Sequence, residues 1–245
     1  MLNEQTTEKL QALRLVAMAS AWEEQNKSAD VAALSFDERF GLLVDAEWLA
    51  RENKRVARNL KEAKLRLGQA CIEGIDYPPR RELDKALIRQ LASCEWVRQH
   101  QVVVITGATG VGKTYVGCAL AQQACRKGYR VMYRRASRLL DELRLARADG
   151  SYARLLGRLA RADVLVIDDF ALAPMTEAER NDLLEVLEDR HELRATVITS
   201  QLAPSSWHAY LSEPTLADAI CDRVLHQAHR LALKGPSRRK EKEGS

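Results

Sequence analysis

The segment Gly107–Thr114 has the residue types and the spacing of a phosphate-binding loop. It reads G-A-T-G-V-G-K-T, which fits the pattern G-x-x-x-x-G-K-[ST] in full. Glycines let such a backbone curl so that successive N–H groups point at a phosphate, and a following helix N-terminus adds partial positive charge. In this pattern Lys113 contacts the β- and γ-phosphates of a nucleotide, and the Thr114 hydroxyl binds Mg²⁺. The predicted nucleotide contacts are Gly107, Ala108, Thr109, Gly110, Val111, Gly112, Lys113 and Thr114.

Two carboxylates follow a second apolar segment. Val164–Ile167 is a run of four apolar residues, and Asp168 and Asp169 come directly after it. Because ligands of open parallel sheets sit at the carboxyl ends of the strands, both side chains could face the same nucleotide. We expect Asp168 to reach Mg²⁺ through water and Asp169 to polarise the water that attacks the γ-phosphate. The competing interpretation is a pair of exposed carboxylates in a turn.

A third apolar segment, Ala195–Ile198, ends in Thr199, Ser200 and Gln201. Any of these three side chains could orient the attacking water beside the γ-phosphate. The pattern leaves the choice among them open, and Ser200 is the working candidate.

The polar residues that follow the apolar runs must be positioned by strands. Four short, β-branched apolar runs alternate with helical stretches of ten or more residues, at 102–105, 130–133, 164–167 and 195–198. Short buried strands separated by helices are typical of a parallel sheet that is covered on both faces. The expected fold is therefore α/β and three-layered, with an all-helical addition at the N-terminus.

The N-terminal part reads as helices only. Ser35 followed by Glu38 resembles a capping box, which predicts a helix that begins near Phe36. Pro78 and Pro79 interrupt the helical periodicity, so we expect a domain boundary within 68–80. The predicted organisation is a helical domain at 1–70, a linker at 71–81, a nucleotide-binding domain at 82–234 that opens with a helix over 82–99, and a basic tail at 235–245.

Composition and charge narrow the class of protein. The chain of 245 residues is 46% hydrophobic and 29% charged, which excludes a disordered, collagen-like or disulfide-scaffold protein. No apolar run is long enough to cross a membrane and the first residues do not resemble a secretory signal, so we expect a cytoplasmic protein.

Residues 126–161 hold eleven basic and three acidic residues, whereas 163–192 hold two basic and ten acidic ones. Such separated blocks favour a polyanion partner over a chance distribution of solvated helix faces.

Two basic segments are candidates for contact with phosphates of DNA. One is a predicted amphipathic helix within 51–66, whose cationic face lies opposite Leu49, Val56, Leu60, Ala63 and Leu67. The other follows the second strand. An ordinary solvated face remains the alternative for both. The candidate DNA-binding residues are Arg51, Lys54, Arg55, Arg58, Lys61, Arg134, Arg135 and Arg138.

Several segments together resemble the IstB-like ATP-binding proteins of bacterial insertion sequences. The resemblance runs from about residue 10 to 240, and its more specific parts are the N-terminal helical block and Pro214–Arg223. The segments that carry it are Leu13–Leu15, Met18–Ala19, Leu34–Arg39, Gly107–Thr114, Asp168–Phe170, Thr199–Leu202 and Pro214–Arg223.

This resemblance implies an AAA+ ATPase, close to helicase loaders and the replication initiator, that helps transposition. Such a protein would use ATP and Mg²⁺, bind double-stranded DNA with little sequence preference, self-assemble with ATP, and recruit or activate a cognate transposase. The resemblance makes Lys113 and Thr114 the Walker A residues, Asp168 and Asp169 the Walker B residues, and Thr199–Gln201 sensor 1. It also makes Arg223 an arginine finger that reaches a neighbouring subunit's ATP, and Arg239 the sensor-2 arginine. The second Walker B residue is Asp where many AAA+ proteins have Glu.

Other functions use the same loop. A helicase loader would share the chemistry and differ only in its client. A small-molecule P-loop kinase would need an acceptor pocket and a mobile lid, and the sequence has no convincing lid segment. A nucleotide switch that does not hydrolyse ATP would assemble on DNA without turnover. For Arg223 itself, the alternative is an ordinary surface arginine.

Overall fold

The computed structural model describes residues 2–28 and 30–237. The first unit extends to Arg58 and is all-helical, and the second unit begins at Asn59. The helices of the described chain are α1 (Leu2–Ala12), α2 (Val16–Lys27), α3 (Phe36–Ala63), α4 (Lys85–Ala92), α5 (Glu95–Arg98), α6 (Lys113–Arg126), α7 (Ala136–Asp149), α8 (Tyr152–Arg161), α9 (Glu177–Glu188), α10 (Trp207–Leu211) and α11 (Pro214–Leu225). The strands are β1 (Val102–Gly107), β2 (Val131–Arg135), β3 (Val164–Phe170), β4 (Ala195–Ser200) and β5 (His229–Leu233).

In the first unit, polar side chains cap the helices. The Ser35 hydroxyl accepts a hydrogen bond from the Glu38 backbone N–H, and the Glu38 carboxylate accepts one from the Ser35 N–H. This reciprocal pair confirms the predicted capping box at the start of α3. The Glu47 carboxylate accepts from the backbone N–H groups of Ala17 and Met18 at the start of α2.

The five strands of the second unit form one parallel sheet in the order β2-β3-β4-β1-β5. Successive side chains of a strand point to opposite faces. In β3, Val164 and Val166 accordingly pack in the hydrophobic cluster on one face, and Leu165 and Ile167 pack in the cluster on the other. Helices cover both clusters, which confirms the predicted three-layered α/β fold with an N-terminal helical addition.

The strand β5 was not among the predicted strands. Its sequence, His229–Leu233, alternates between exposed or half-buried and buried residues because it pairs with β1 at one edge of the sheet. Continuous apolar runs are typical of strands that are buried on both faces. An edge strand with a polar face has no such run, so the sequence pattern did not predict β5.

The compact units divide inside α3, upstream of the predicted boundary at 68–80. The Asn59 side-chain amide donates to the carbonyls of Gly128 and Tyr129, at 3.1 and 3.2 Å. Ala63, Ala70 and Ile75 are buried in the core of the second unit. The segment predicted as a linker at 71–81 is thus packed against the nucleotide-binding domain, because its apolar side chains find burial there.

Two predicted helices differ from the observed ones. The predicted helix over 82–99 is two helices, α4 and α5, because Cys94 adopts a left-handed φ of 64° between them. The basic helix ends at Ala63, where Lys64 adopts a φ of 51°, so Leu67 lies beyond it. Leu49, on the predicted apolar face, is 53% exposed. Among the described residues, no helix combines the length and the apolar character needed to cross a membrane.

Candidate nucleotide site

The loop between β1 and α6 has the backbone shape that the glycine spacing predicts. Gly107 ends β1 with a φ of 144°, and Gly112 caps α6 with a φ of 101°. A Cβ on Gly107 would stand 2.2 Å from the backbone carbonyl oxygen of Leu233 in β5. Only glycine combines that φ with that close approach. The loop is therefore built against the edge strand, with its helix N-terminus turned to the space where a phosphate would bind.

The Lys113 side chain lies inside this loop. It is buried, and its Nζ donates to the carbonyl oxygen of Ala108 at 2.9 Å. A turn that only joins a strand to a helix has no need of a buried ammonium group. Such a cation, buried at the start of a helix in a glycine-rich loop, suits the charge of a nucleotide's phosphates.

Asp168 is fully buried and is surrounded by hydroxyl groups. Thr114 Oγ1 donates to its carboxylate, with distances of 3.0 and 3.1 Å to the two oxygens. Tyr133 Oη donates to Oδ2 at 2.6 Å, and Thr199 Oγ1 donates to Oδ1 at 2.6 Å. A carboxylate beside a threonine hydroxyl is the oxygen donor set that Mg²⁺ prefers. The residues present therefore fit a magnesium–nucleotide complex.

Tyr133 belongs to this cluster, although no sequence pattern singled it out. Burial raises the pKa of its phenol well above the ordinary value, and the hydrogen bond to the Asp168 carboxylate raises it further. The phenol therefore stays protonated and donates to Asp168. Tyr133 lies inside the apolar run of β2, where an aromatic residue reads as part of the core.

Asp169 departs from the regular strand geometry. Its φ is 59°, and the pairing of β3 with β4 shifts register between Ile167 and Phe170. This bulge turns the Asp169 carboxylate to the end of β2, where Arg135 Nη2 lies 3.1 Å from Oδ2. Arg66 Nη1 lies 3.3 Å from the same oxygen and 3.6 Å from Asp168 Oδ2. Asp169 is thus the more exposed of the two carboxylates and is ion-paired with two arginines.

The three polar residues that follow Ile198 have different partners. Thr199 Oγ1 lies between the two carboxylate residues, because it donates to Asp168 and accepts from the Asp169 backbone N–H at 3.0 Å. Gln201 Oε1 accepts from Thr109 Oγ1 of the phosphate loop at 2.9 Å. Ser200 does not join the site, since its hydroxyl donates to the Phe170 carbonyl and accepts from a backbone N–H. The choice of Ser200 is therefore corrected: it points away from its two neighbours because side chains alternate along a strand.

Arg81 supports the phosphate loop from the segment that was predicted to be a linker. Its guanidinium donates to the carbonyl of Val111 at 2.5 Å and to that of Asp76 at 2.8 Å, and the residue is buried. Arginine in a proline-rich segment reads as a solvated side chain, so the sequence carried no signal for this contact.

Arg223 lies at the opposite edge of the sheet. It lines a cavity of about 210 Å³ together with Val102 and Thr196, which stand near the amino ends of β1 and β4. Arg223 Nε donates to Glu188 Oε2 at 2.6 Å, and its Nη1 lies 3.4 Å from Asp222 Oδ2. Two carboxylates are therefore close to Arg223, one from α9 and one from its neighbour in the helix. Arg238 and Arg239 lie outside the described residues.

The candidate DNA-binding residues differ in whether they are already ion-paired and in how far they are exposed to solvent. In the first unit, Arg51 pairs with Glu47 at 2.7 Å and Arg55 with Glu52 at 2.7 Å. Lys54 and Arg58 of the first unit are exposed, and so is Lys61 of the second unit.

In the segment after β2, Arg134 is half-buried and pairs with Glu142 at 3.0 Å. Arg135 pairs with Asp169, as described above. Arg138 is exposed on the first turn of α7. Of this segment, Arg135 and Arg138 therefore present guanidinium groups to solvent.

Comparison with known proteins places the chain in a family. Residues 8–245 match the family described as IstB-like ATP binding protein. The chain belongs to this family. It is 45% identical to an insertion sequence ATP-binding protein of Sinorhizobium fredii over 98% of both chains. It is 48% identical to another of Pseudomonas fluorescens, over 87% of this chain and 93% of that one.

Solved structures share the fold of this IstB-like chain. The DnaC helicase loader superposes with a TM-score of 0.56 at 18% identity, over 67% of this chain and 97% of that chain. AMPPCP-bound DnaA from Aquifex aeolicus superposes with a TM-score of 0.58 at 16% identity, over 71% of this chain and 55% of that chain. The second unit therefore has the AAA+ P-loop fold.

Proposed function

We propose that this IstB-like protein is an ATPase that helps transposition. With ATP bound, it assembles on double-stranded DNA with little sequence preference and recruits or activates a partner transposase. The insertion sequence relatives, which match almost the whole chain, support the association with transposition. On this proposal the protein works with DNA in the bacterial cytoplasm.

The proposed assembly is supported mainly by the distance between Arg223 and the phosphate loop. The strand β1 runs from Val102, which lines the Arg223 cavity, to Gly107, the first loop residue. The five residue steps between them, at about 3.3 Å each, put these two ends roughly 17 Å apart. Arg223 is therefore remote from the nucleotide of its own chain and is suited to the nucleotide of a neighbouring copy, whose γ-phosphate would pair with its guanidinium.

We assign the hydrolysis of ATP to the residues at the carboxyl edge. Lys113 and the loop N–H groups would hold the phosphates, and Thr114 and Asp168 would hold Mg²⁺, which neutralises charge on the phosphates when bound. Asp169 would accept a proton from the attacking water. Thr199 and Gln201 replace Ser200 as the candidates that orient this water, since Thr199 contacts both carboxylate residues and Gln201 contacts the loop. The sensor-2 role of Arg239 stays a prediction.

The direct test measures the size of the particle. We expect a larger assembly only when ATP and duplex DNA are both present, and Lys113→Ala should abolish it. The mass should be measured without additions, with ATP, with duplex DNA and with both. A particle of unchanged mass under all four conditions would refute the proposed assembly. Capture of a partner transposase, but not of a replicative helicase, would separate the proposal from a helicase loader. Phosphate release that needs no acceptor would separate it from a kinase.

A further inference from the structure

A guanidinium group from the segment after α3 lies beside the carboxylate that fits Mg²⁺. Arg66 Nη1 is 3.6 Å from Asp168 Oδ2 and 3.3 Å from Asp169 Oδ2. Asp168 is fully buried, and the hydroxyl groups that donate to it, such as that of Thr114, carry no charge. Burial of a carboxylate is costly unless positive charge compensates it. Arg66 therefore supplies positive charge to the carboxylate that Mg²⁺ would also approach.

The segment that carries Arg66 is packed at its ends and open in the middle. Ala63, the last residue of α3, and Ala70 are both buried in the core of the second unit. Residues 66–69 between them are exposed, and a Cβ on Gly68 would meet no atom within 4 Å. The Arg66 side chain is 37% exposed. The guanidinium can therefore turn to solvent while both ends of the segment stay packed.

Mg²⁺ carries twice the charge of a guanidinium, and two cations beside one carboxylate repel each other. We infer that Arg66 is a positioning residue that competes with Mg²⁺ for Asp168, so that the magnesium–nucleotide complex displaces Arg66 and shifts residues 64–69. This inference rests on the proposed function, because it concerns the nucleotide site of the same ATPase. The segment after α3 then responds to the metal–nucleotide complex and not to the nucleotide alone.

The first test compares the affinity for ATP in Mg²⁺ with that in EDTA, by calorimetry without DNA. The dissociation constant in EDTA divided by that in Mg²⁺ isolates the contribution of the metal, because a general change in the site alters both constants. Arg66→Gln should increase this ratio about three- to tenfold, since the metal no longer displaces a cation. Arg66→Lys keeps the charge, so its ratio should stay closer to that of the parent. The matched control is Arg126→Gln, which removes an exposed guanidinium paired with Glu73 at 3.3 Å and should leave the ratio unchanged.

The second test follows the segment itself by hydrogen exchange in the parent protein, and so does not depend on the folding of a variant. The backbone of Arg66 and Leu67 hydrogen-bonds to the buried thiol of Cys118. If the segment shifts, these bonds weaken. The amides of residues 66 and 67 should therefore exchange faster with ATP and Mg²⁺ than with ATP and EDTA.

An unchanged ratio for Arg66→Gln would overturn the inference, because the arginine would then be structural. A lowered ratio would also overturn it, because Arg66 would then help to hold the metal–nucleotide complex. Equal exchange in Mg²⁺ and in EDTA would overturn the proposed shift of the segment. Neither test contains DNA or a transposase, whereas the proposed assembly is judged by particle size. The inference and the proposed function can thus fail independently of each other.

Discussion

Replacement of Tyr133 by phenylalanine should destabilise the nucleotide-binding domain by about 1.5–2 kcal/mol. The phenol donates a 2.6 Å hydrogen bond to Asp168, which is fully buried. Net hydrogen bonds to charged groups contribute about 1.5–3 kcal/mol, and a buried carboxylate that loses a donor keeps its desolvation cost. Thr114 and Thr199 still donate to the same carboxylate in the variant, so we expect the lower part of that range.

Urea unfolding of the ligand-free protein measures this difference. The midpoint should fall with an unchanged slope, because the substitution alters neither the core volume nor the surface exposed on unfolding. Tyr210→Phe is the matched control, since the Tyr210 hydroxyl donates to the neutral carbonyl of Ala173 at a more exposed position. Tyr210→Phe should lose clearly less unfolding free energy than Tyr133→Phe. Equal losses in the two variants, or a loss below about 0.5 kcal/mol for Tyr133→Phe, would refute the charged-cluster argument.

Three further predictions concern assembly, binding and pH. Arg223→Ala should bind ATP normally but need about 10- to 100-fold more protein to assemble, as measured by sedimentation. The control is Arg126→Ala, which removes an exposed ion pair and should assemble like the parent. Glu188→Gln releases the same guanidinium and should assemble at a lower concentration than the parent. Lys113→Ala should lose ATP binding in calorimetry while its circular dichroism stays that of the parent. Burial lowers the pKa of His229, so below pH ~6.5 the unfolded chain binds more protons than the folded one. The free energy of unfolding should therefore fall on acidification. In urea titrations at several pH values, His229→Gln should show a weaker dependence of this free energy on pH.

Local signals were enough to predict the main parts of the site. The phosphate loop is contiguous in sequence, and β1, β3 and β4 are apolar runs that end in polar residues at the carboxyl edge. Parallel strands bring these ends together, so Thr114, Asp168 and Thr199 meet as their positions in sequence suggest. For Thr114 and Asp168, the position in the sequence was sufficient.

The remaining contacts depend on tertiary packing. Arg81 reaches the site from a three-residue 3₁₀ turn, Pro79–Arg81, and Arg66 from an irregular segment. In neither case does a periodic pattern mark where the side chain will point. Ser200 and Thr199 are one position apart, and one position along a strand reverses the face to which the side chain points. Tyr133 was hidden because an apolar run gives the same signal whether or not its aromatic member carries a useful hydroxyl group.

Arg223 and Glu188 form a partly exposed guanidinium–carboxylate pair. The γ-phosphate of a nucleotide carries more charge than a carboxylate and accepts the same parallel hydrogen bonds, so it can displace Glu188 without a large rearrangement of the fold. On the proposed function, the nucleotide of a neighbouring chain would act on Arg223 in this way at the amino edge of the sheet. Glu188 would then hold the isolated chain back from assembly, because it occupies the cation that a phosphate would otherwise bind.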